Sequence, residues 1–220
     1  MLHVMRASIA ALILAVLPGA IVAQVRGLPV YNPGVPSGIG IYGDVGFPNA
    51  TAGDGTTLAL TGRAGFGPLG VTATIGTFNP AGPSDSRTVL GATGNVRVFG
   101  GGLVPISVTV QGGYGRLNLG TGTTTTGKEE RFPLGVGVAV TLPTPVVSLK
   151  PWLAPRLDIV RTTVGGTSST GSNVGLSGGL EVNTLTGLGV HASYDYVRSN
   201  GQGAGIFGIG LHAGLKIPGL

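Results

Sequence analysis

The sequence predicts an all-β protein, a closed antiparallel up-and-down barrel of about ten strands. Two observations predict the strands: 43 of the 220 residues are glycine, which costs about 1 kcal/mol relative to alanine inside a helix, and a series of segments alternates apolar with small or polar residues. The third observation predicts the barrel, because the connections between these segments alternate between longer and shorter ones.

The N-terminal region predicts an exported chain. Residues 1–23 contain His3 and Arg6, then an apolar stretch from Ile9 to Leu17, then a breaker pair and the small residue Ala23. This is the plan of a cleaved secretory signal peptide, and the apolar stretch is too short for a retained membrane-spanning helix. Residues 24–37, rich in proline and glycine, are interpreted as a periplasmic lead, and residues 38–220 as the barrel domain.

The alternating segments define the strands to within a few residues at each end. They are placed at 38–47, 56–66, 69–78, 88–99, 104–114, 131–142, 147–160, 173–183, 187–197 and 206–217.

The longer connections are polar and include Gly115 to Glu130 and Arg161 to Ser172, whereas the shorter ones include Gly67–Pro68 and Thr184 to Thr186. Five longer and four shorter connections fit ten strands with both termini on one side. Eight strands remain the alternative.

The seventh segment contains Pro151 and Pro155, which lack a backbone N–H. Because they are an even number of residues apart, both missing donors point toward the same neighbouring strand. We therefore expect a bulge or a weakened seam beside this strand, with Trp152 directed inward. If the segment left the sheet, or if the first segment did, the barrel would have eight strands.

Sorting each strand by its alternation separates an uncharged apolar face from a polar one. In a bilayer this segregation is required, because a Lys or Arg facing the midplane costs about 2–4 kcal/mol. The polar faces carry the side chains that we predict to line the lumen: Asp44, Arg63, Arg97, Lys150, Trp152, Arg156, Asp158, Glu181, His191, Asp195, His212 and Lys216.

Aromatic residues near the strand ends support the same arrangement. Placed on the apolar face, they would form the girdles that membrane barrels carry at the headgroup level. The predicted girdle residues are Phe47, Phe66, Phe78, Tyr114, Phe132, Tyr196 and Phe207.

Over residues 38–217 the chain resembles the superfamily of small Gram-negative outer-membrane β-barrel proteins, which includes the outer-membrane-protein-A-like barrels. The alternation, the asymmetry of the connections and the closing strand IFGIGLHAGLKI carry the resemblance. It implies a monomeric transmembrane barrel in the outer membrane, with lipid and the outer-membrane assembly machinery as partners.

Residues that could carry chemistry are few. His191 and His212 face inward on consecutive strands, but a metal site normally has three or four ligands, so we predict neither a metal nor a cofactor. His191 and Asp195 lie about 13 Å apart along one strand, too far for a catalytic couple, and the chain is not predicted to be an enzyme. Lys150 and Glu181, at similar depth, are expected to join an internal ion-pair network or a charged constriction.

The predicted function is therefore that of an outer-membrane barrel with a structural or passive porin-like role, its lumen filled or narrowed by ion pairs. Small solutes are the cargo that a porin-like passage would carry. The formal charge of +5 is scattered without basic runs, which argues against nucleic-acid binding. The alternative is a secreted soluble β-sandwich or barrel that binds a partner, because periodicity alone does not show whether lipid or protein covers the apolar faces.

Overall fold

The computed structural model describes residues 25–36, 38–82, 84–101, 104–122, 125–199 and 202–215. Nearly all of this part of the chain is β-strand. The barrel strands are β1 (Gly38–Pro48), β2 (Gly55–Phe66), β3 (Leu69–Pro80), β4 (Arg87–Gly101), β5 (Val104–Gly122), β6 (Thr125–Val140), β7 (Val147–Val164), β8 (Thr167–Thr184), β9 (Leu188–Ser199) and β10 (Gln202–Leu215).

Each strand pairs antiparallel with its neighbours in sequence, and the sheet closes on itself. The closing pair joins β1 to β10, from Ile39 opposite Leu215 to Pro48 opposite Ile206. Closure leaves none of the ten strands at an edge, which removes the unpaired backbone groups that an open sheet exposes. The predicted fold class is confirmed, with ten strands rather than eight.

Two short elements accompany the ten strands. The two-residue strand Leu142–Pro143 pairs with β7, and the 3₁₀-helix Ala50–Ala52 follows β1, with Asn49 as its N-cap. No helix among the described residues is long and apolar enough to cross a membrane.

The proline-bearing strand β7 stays in the sheet. Its pairing with β8 is continuous, from Val147 opposite Thr184 to Val164 opposite Thr167. On the β6 side the ladder is interrupted beside Pro155, between the pairs Gly135/Arg156 and Val138/Leu153. The weakened seam is therefore found on one side only, as expected when missing donors point toward one neighbour.

Two connections differ from the sequence prediction. In two connections predicted as long loops, Gly115 to Glu130 and Arg161 to Ser172, the strands continue: β5 extends to Gly122 and β6 begins at Thr125. β7 extends to Val164 and turns into β8 through the tight Gly165–Gly166 turn. Their Thr, Ser and Val residues have high β-propensity or pair well across strands, so the polar segments extend the ladder beyond the apolar zone. The longer connections at this end of the barrel are therefore hairpins, β5–β6 and β7–β8, that protrude beyond the apolar zone.

The two faces of the wall have opposite chemistry. Apolar side chains point outward and stay exposed, for example Ile41 (62%) and Leu60 (56%), whereas Thr57, Thr109 and Ser177 are fully buried inside. The outer surface rather than the interior thus carries most of the large aliphatic residues. This is the reverse of a soluble barrel, whose interior is apolar.

The interior is occupied by the chain's own N-terminal segment. Residues 25–36 run through the lumen, from Val25 beside Phe78 and Leu117 at the protruding end to Pro36 beside Gly65 at the opposite end. The sequence interpretation as a periplasmic lead needs correction, because Val25, Leu28, Val30 and other residues of this segment are buried within the barrel. Here they are shielded from water, and they would lose this burial in the periplasm.

Candidate functional site

The filled lumen is the candidate functional site, and the wall is shaped to receive residues 25–36, the lumenal segment. Glycines of several strands lie where the main chain or a proline of this segment approaches. A Cβ at Gly46 would overlap the carbonyl oxygen of Gly27, and one at Gly65 would overlap that of Pro36. At Gly208 it would lie 2.7 Å from Pro29 Cδ. Larger residues at these positions would exclude the segment.

Polar contacts fix the lumenal segment along its length. Together they pair buried donors and acceptors that would otherwise be costly inside the barrel. The contacts are Arg26 Nη1 with Glu129 (3.3 Å), Thr57 Oγ1 donating to the Arg26 carbonyl (2.9 Å), Thr109 Oγ1 donating to Asn32 Oδ1 (3.0 Å), and Arg63 Nη2 donating to the Gly34 carbonyl (3.0 Å).

Tyr31 lies at the centre of the segment and contacts the wall on several sides. Its ring meets Trp152 edge-on at a centroid separation of 5.4 Å, and the Arg63 guanidinium lies 5.0 Å from the ring centroid. Its hydroxyl donates a hydrogen bond of 2.6 Å to Glu181. The tyrosine therefore joins apolar packing to an ionised wall residue.

A buried ion-pair cluster fills the lumen beside the segment. Arg156 donates from Nε to Asp158 (2.9 Å) and from Nη2 to Asp195 (2.8 Å). Arg131 also pairs with Asp158, and Arg156 donates to Ser177. Each carboxylate here lies against at least one guanidinium, which offsets the cost of burying the charges.

A second network, the histidine network, joins β1, β8, β9 and β10 and consists of Asp44, Glu181, Asn183, His191 and His212. His191 Nε2 lies 2.7 Å from Asp44 Oδ1, and His212 Nε2 lies 2.7 Å from Asn183 Oδ1. The two Nδ1 atoms face each other at 3.2 Å. The amide of Asn183 donates to Glu181 at 2.9 Å, which connects this network to Tyr31.

Glycines make room for both imidazoles. A Cβ at Gly210 would lie 2.6 Å from His191 Nε2, and one at Gly189 would overlap His212 Nε2. Each ring therefore lies over a glycine of the facing strand, because β9 pairs His191 with Gly210 and Gly189 with His212.

The structure distributes the residues predicted from sequence over several places. Arg156, Asp158 and Asp195 meet in the ion-pair cluster, and Asp44, Glu181, His191 and His212 meet in the histidine network. The rest lie as follows: Arg63 and Trp152 against Tyr31, Lys150 opposite Glu181 in the register, Arg97 half-buried with its Nη2 3.0 Å from the Gly67 carbonyl, and Lys216 outside the described residues.

Several residues that line or fill the lumen were not predicted from the sequence to do so. Tyr31 was assigned to a periplasmic lead, and Arg131 falls at the boundary of a predicted loop. Phe78 was assigned to the outer girdle, but it is 1% exposed and packs inside, with the Arg26 guanidinium 5.4 Å from its ring centroid. The alternation counted from the outward Ile75 places Phe78 inward and would have found it.

A cavity of about 50 Å³ lies beside the segment, lined by Asp44, Thr61, Thr74, Arg63 and His191 among others. This has room for a few water molecules. In the described residues, no group of three or more His, Cys, Asp or Glu side chains is arranged to hold a metal ion.

Comparison with known proteins finds similarity only to solved structures: no protein-family model and no curated protein matches the chain. The translocator domain of the autotransporter NalP from Neisseria meningitidis is 14% identical, with a TM-score of 0.48, over 82% of this chain and 89% of that one.

Two further structures are similar over most of the chain. The N-terminal β-barrel domain of Pseudomonas aeruginosa OprF is 10% identical (TM-score 0.41, 81% of this chain, 98% of that one). The outer membrane protease OmpT from Escherichia coli is 8% identical (TM-score 0.41, 81% and 94%). The structural neighbours are outer-membrane β-barrels.

Proposed function

We propose that this chain is an outer-membrane β-barrel protein with a structural role, whose lumen is closed by its own N-terminal segment and by ion pairs. The observation that carries the membrane location is the uncharged apolar belt on the outer face of the barrel. The protruding hairpins β5–β6 and β7–β8 would then present a polar surface outside the cell.

The limits of the belt are marked by aromatic residues followed by charges. On β5 the outward Tyr114 is followed two residues later by Arg116, and on β9 Tyr196 is followed by Arg198. Lipid favours aromatic rings at the headgroup level and charges beyond it. These sequences therefore mark one membrane boundary, just below the protruding ends of the strands.

A soluble protein would have to leave this belt in water or cover it with another protein layer. Contiguous exposed apolar patches larger than a few hundred Å² are rare on soluble monomers. The alternative of a secreted soluble binding protein is therefore less favourable. A leader at residues 1–23, the assembly machinery as a partner and a monomeric state remain predictions.

The lumenal contacts favour a closed scaffold over a porin-like passage. Gly46, Gly65 and Gly208 leave space that the lumenal segment occupies, and the cavity beside the segment measures about 50 Å³. A catalytic role is not proposed either, because His191 contacts Asp44 and His212, whereas Asp195 is paired with Arg156.

Fractionation of cells tests the membrane location. We expect the protein in the outer-membrane fraction, extracted by detergent alone, with heat-modifiable migration on a gel because a closed barrel resists denaturant without heating. A folded protein that is released into buffer without detergent would refute the proposal.

Recordings in planar bilayers test the closed lumen. The native protein is expected to give no steady conductance, whereas Gly46→Val should open a passage because its side chain would displace the segment at Gly27. Gly43→Val is the matched control, since a Cβ at the outward Gly43 meets nothing within 4 Å. A native protein that conducts as steadily as the Gly46→Val variant would contradict the closed lumen.

A further inference from the structure

The histidine network requires more protons than two neutral imidazoles carry. We propose that Asp44, His191 and His212 form a binding site for one shared proton, held between the two Nδ1 atoms, and that this proton secures the lumenal segment. The inference goes beyond the proposed structural role and does not depend on the membrane location.

The hydrogen-bond partners fix which nitrogens carry protons. The Glu181 carboxylate only accepts, so the Asn183 amide group must face it, and Asn183 Oδ1 must face His212. His212 Nε2 therefore donates. Similarly, the contact between His191 Nε2 and the Asp44 carboxylate needs one proton, and Thr61 Oγ1 lies 3.2 Å from the other Asp44 oxygen.

Those two contacts use both protons of two neutral imidazoles. The Nδ1 atoms would then be two acceptors facing each other at 3.2 Å, which is repulsive. One additional proton turns this contact into an N–H···N hydrogen bond. The count holds wherever the protons reside, because three contacts in a row from Asp44 to Asn183 need three protons.

The ring geometry favours a shared proton over a metal ion. The ring centroids are 5.5 Å apart and the Nδ1 atoms 3.2 Å apart. The centroid separation exceeds the Nδ1 separation by about two imidazole ring radii. Each Nδ1 atom therefore lies near the line that joins the two ring centroids. The lone pairs point at each other as in a hydrogen bond, whereas two ligands of a tetrahedral metal would point to a common apex.

The charged and titratable groups around the pair come from every neighbouring element. Carboxylates and cations both lie around the pair and its partner Glu181, and the hydrogen-bond count determines the proton site. The groups are Asp44 and Tyr42 of β1, Arg63 of β2, Lys150 of β7, Glu181 of β8 and Tyr31 of the lumenal segment.

The site contacts the lumenal segment directly. The Tyr31 ring lies 4.9 Å from the His191 ring, and its hydroxyl binds Glu181, which is joined through Asn183 to His212. Loss of the shared proton leaves two acceptors face to face, and a second added proton leaves two donors. In either case the rings must separate, and Tyr31 loses packing.

Nitrogen NMR of the full chain, with ¹⁵N-labelled histidine and in detergent, tests the proton count. His3 is the only other histidine in the sequence, so few signals are expected. In a pH series, the two Nδ1 signals should lie between those of protonated and bare nitrogen over one interval. Two neutral rings with bare Nδ1 atoms at every pH would overturn the proposal.

His212→Gln supplies the control. Its amide nitrogen can keep the hydrogen bond to Asn183, but it provides no Nδ1 acceptor. We expect the intermediate Nδ1 signal of His191 to be absent in this variant. If the His191 signal is unchanged in the variant, the pair shares no proton.

Thiol labelling tests the link to the lumenal segment. The chain has no cysteine, so Val30→Cys places one thiol at a site that is 3% exposed in the native protein. The labelling rate in the native background, divided by that in the His212→Gln background, cancels the thiol's own pH dependence. Plotted against pH, this ratio should pass through a minimum where the shared proton is bound. It should rise about tenfold at lower and at higher pH, because the segment then loses the equivalent of one buried hydrogen bond. A ratio independent of pH would refute the link.

Discussion

Single glycines in this barrel leave space for a large side chain of the facing strand. Gly175 receives the Arg156 guanidinium, with Cζ 2.9 Å from an added Cβ, and Gly189 receives the His212 ring. Because the lumen is crowded, a methyl group at such a position must displace a hydrogen-bonded side chain rather than fill a void.

Gly189→Ala is expected to destabilise the protein by about 1–3 kcal/mol, because the methyl group would push His212 away from Asn183. Urea unfolding in lipid vesicles, followed by Trp152 fluorescence, measures the change. Gly62→Ala is the control, since an added Cβ there meets nothing within 4 Å. Equal effects of the two substitutions would show that Gly189 does not serve the imidazole.

Asp158→Asn tests the ion-pair cluster. Asp158 is fully buried and pairs with both Arg131 and Arg156. Removing its charge leaves buried guanidinium groups undercompensated, which costs about 3–5 kcal/mol. The same unfolding experiment measures the loss, and Asp54→Asn at a loop position with φ of 41° should change little, because asparagine also tolerates this conformation. A loss below 1 kcal/mol at Asp158 would contradict the assigned role.

At the scale of whole elements, β7 shows that a strand with two prolines can remain in a closed barrel. Its ladder with β8 is complete, and the cost is confined to the interruption beside β6. The lumenal segment shows the converse, because it has no regular secondary structure yet is fixed by side-chain contacts to several strands.

Pro155→Val should strengthen the seam between β6 and β7. The substitution restores a backbone donor on the side where the ladder is interrupted, and the outward position of Pro155 accommodates a valine facing lipid. We expect a gain of about 0.5–1.5 kcal/mol, together with slower amide hydrogen exchange in β6. Unchanged exchange in β6 would show that the missing donor does not face that strand.

At the scale of the whole molecule, the barrel has its aliphatic surface outside and its charges inside. Leu60→Arg places a charge within the apolar belt and is expected to cost about 2–4 kcal/mol in lipid vesicles. The control is Thr170→Arg on the protruding β8 end, where the side chain is already exposed to water. Similar small effects of both substitutions would contradict burial of the belt in lipid.

Much of the wall could be predicted from sequence because alternation along a strand is a local property. Trp152 and Asp158 were placed inward, and Ile41 and Leu60 outward, by counting residues in steps of two. The seam beside Pro155 followed from the missing N–H in the same way. The protruding hairpins were missed, because their polar composition is equally compatible with a loop.

The sequence by itself determined the all-β class, the approximate strand positions and the side of the wall on which most side chains lie. The tertiary structure decided what fills the lumen. The burial of Val25 and Tyr31, the inward packing of Phe78 against Arg26 and the meeting of His191 with His212 depend on contacts between residues distant in sequence. Such contacts arise only when the closed barrel brings several strands around the same N-terminal segment.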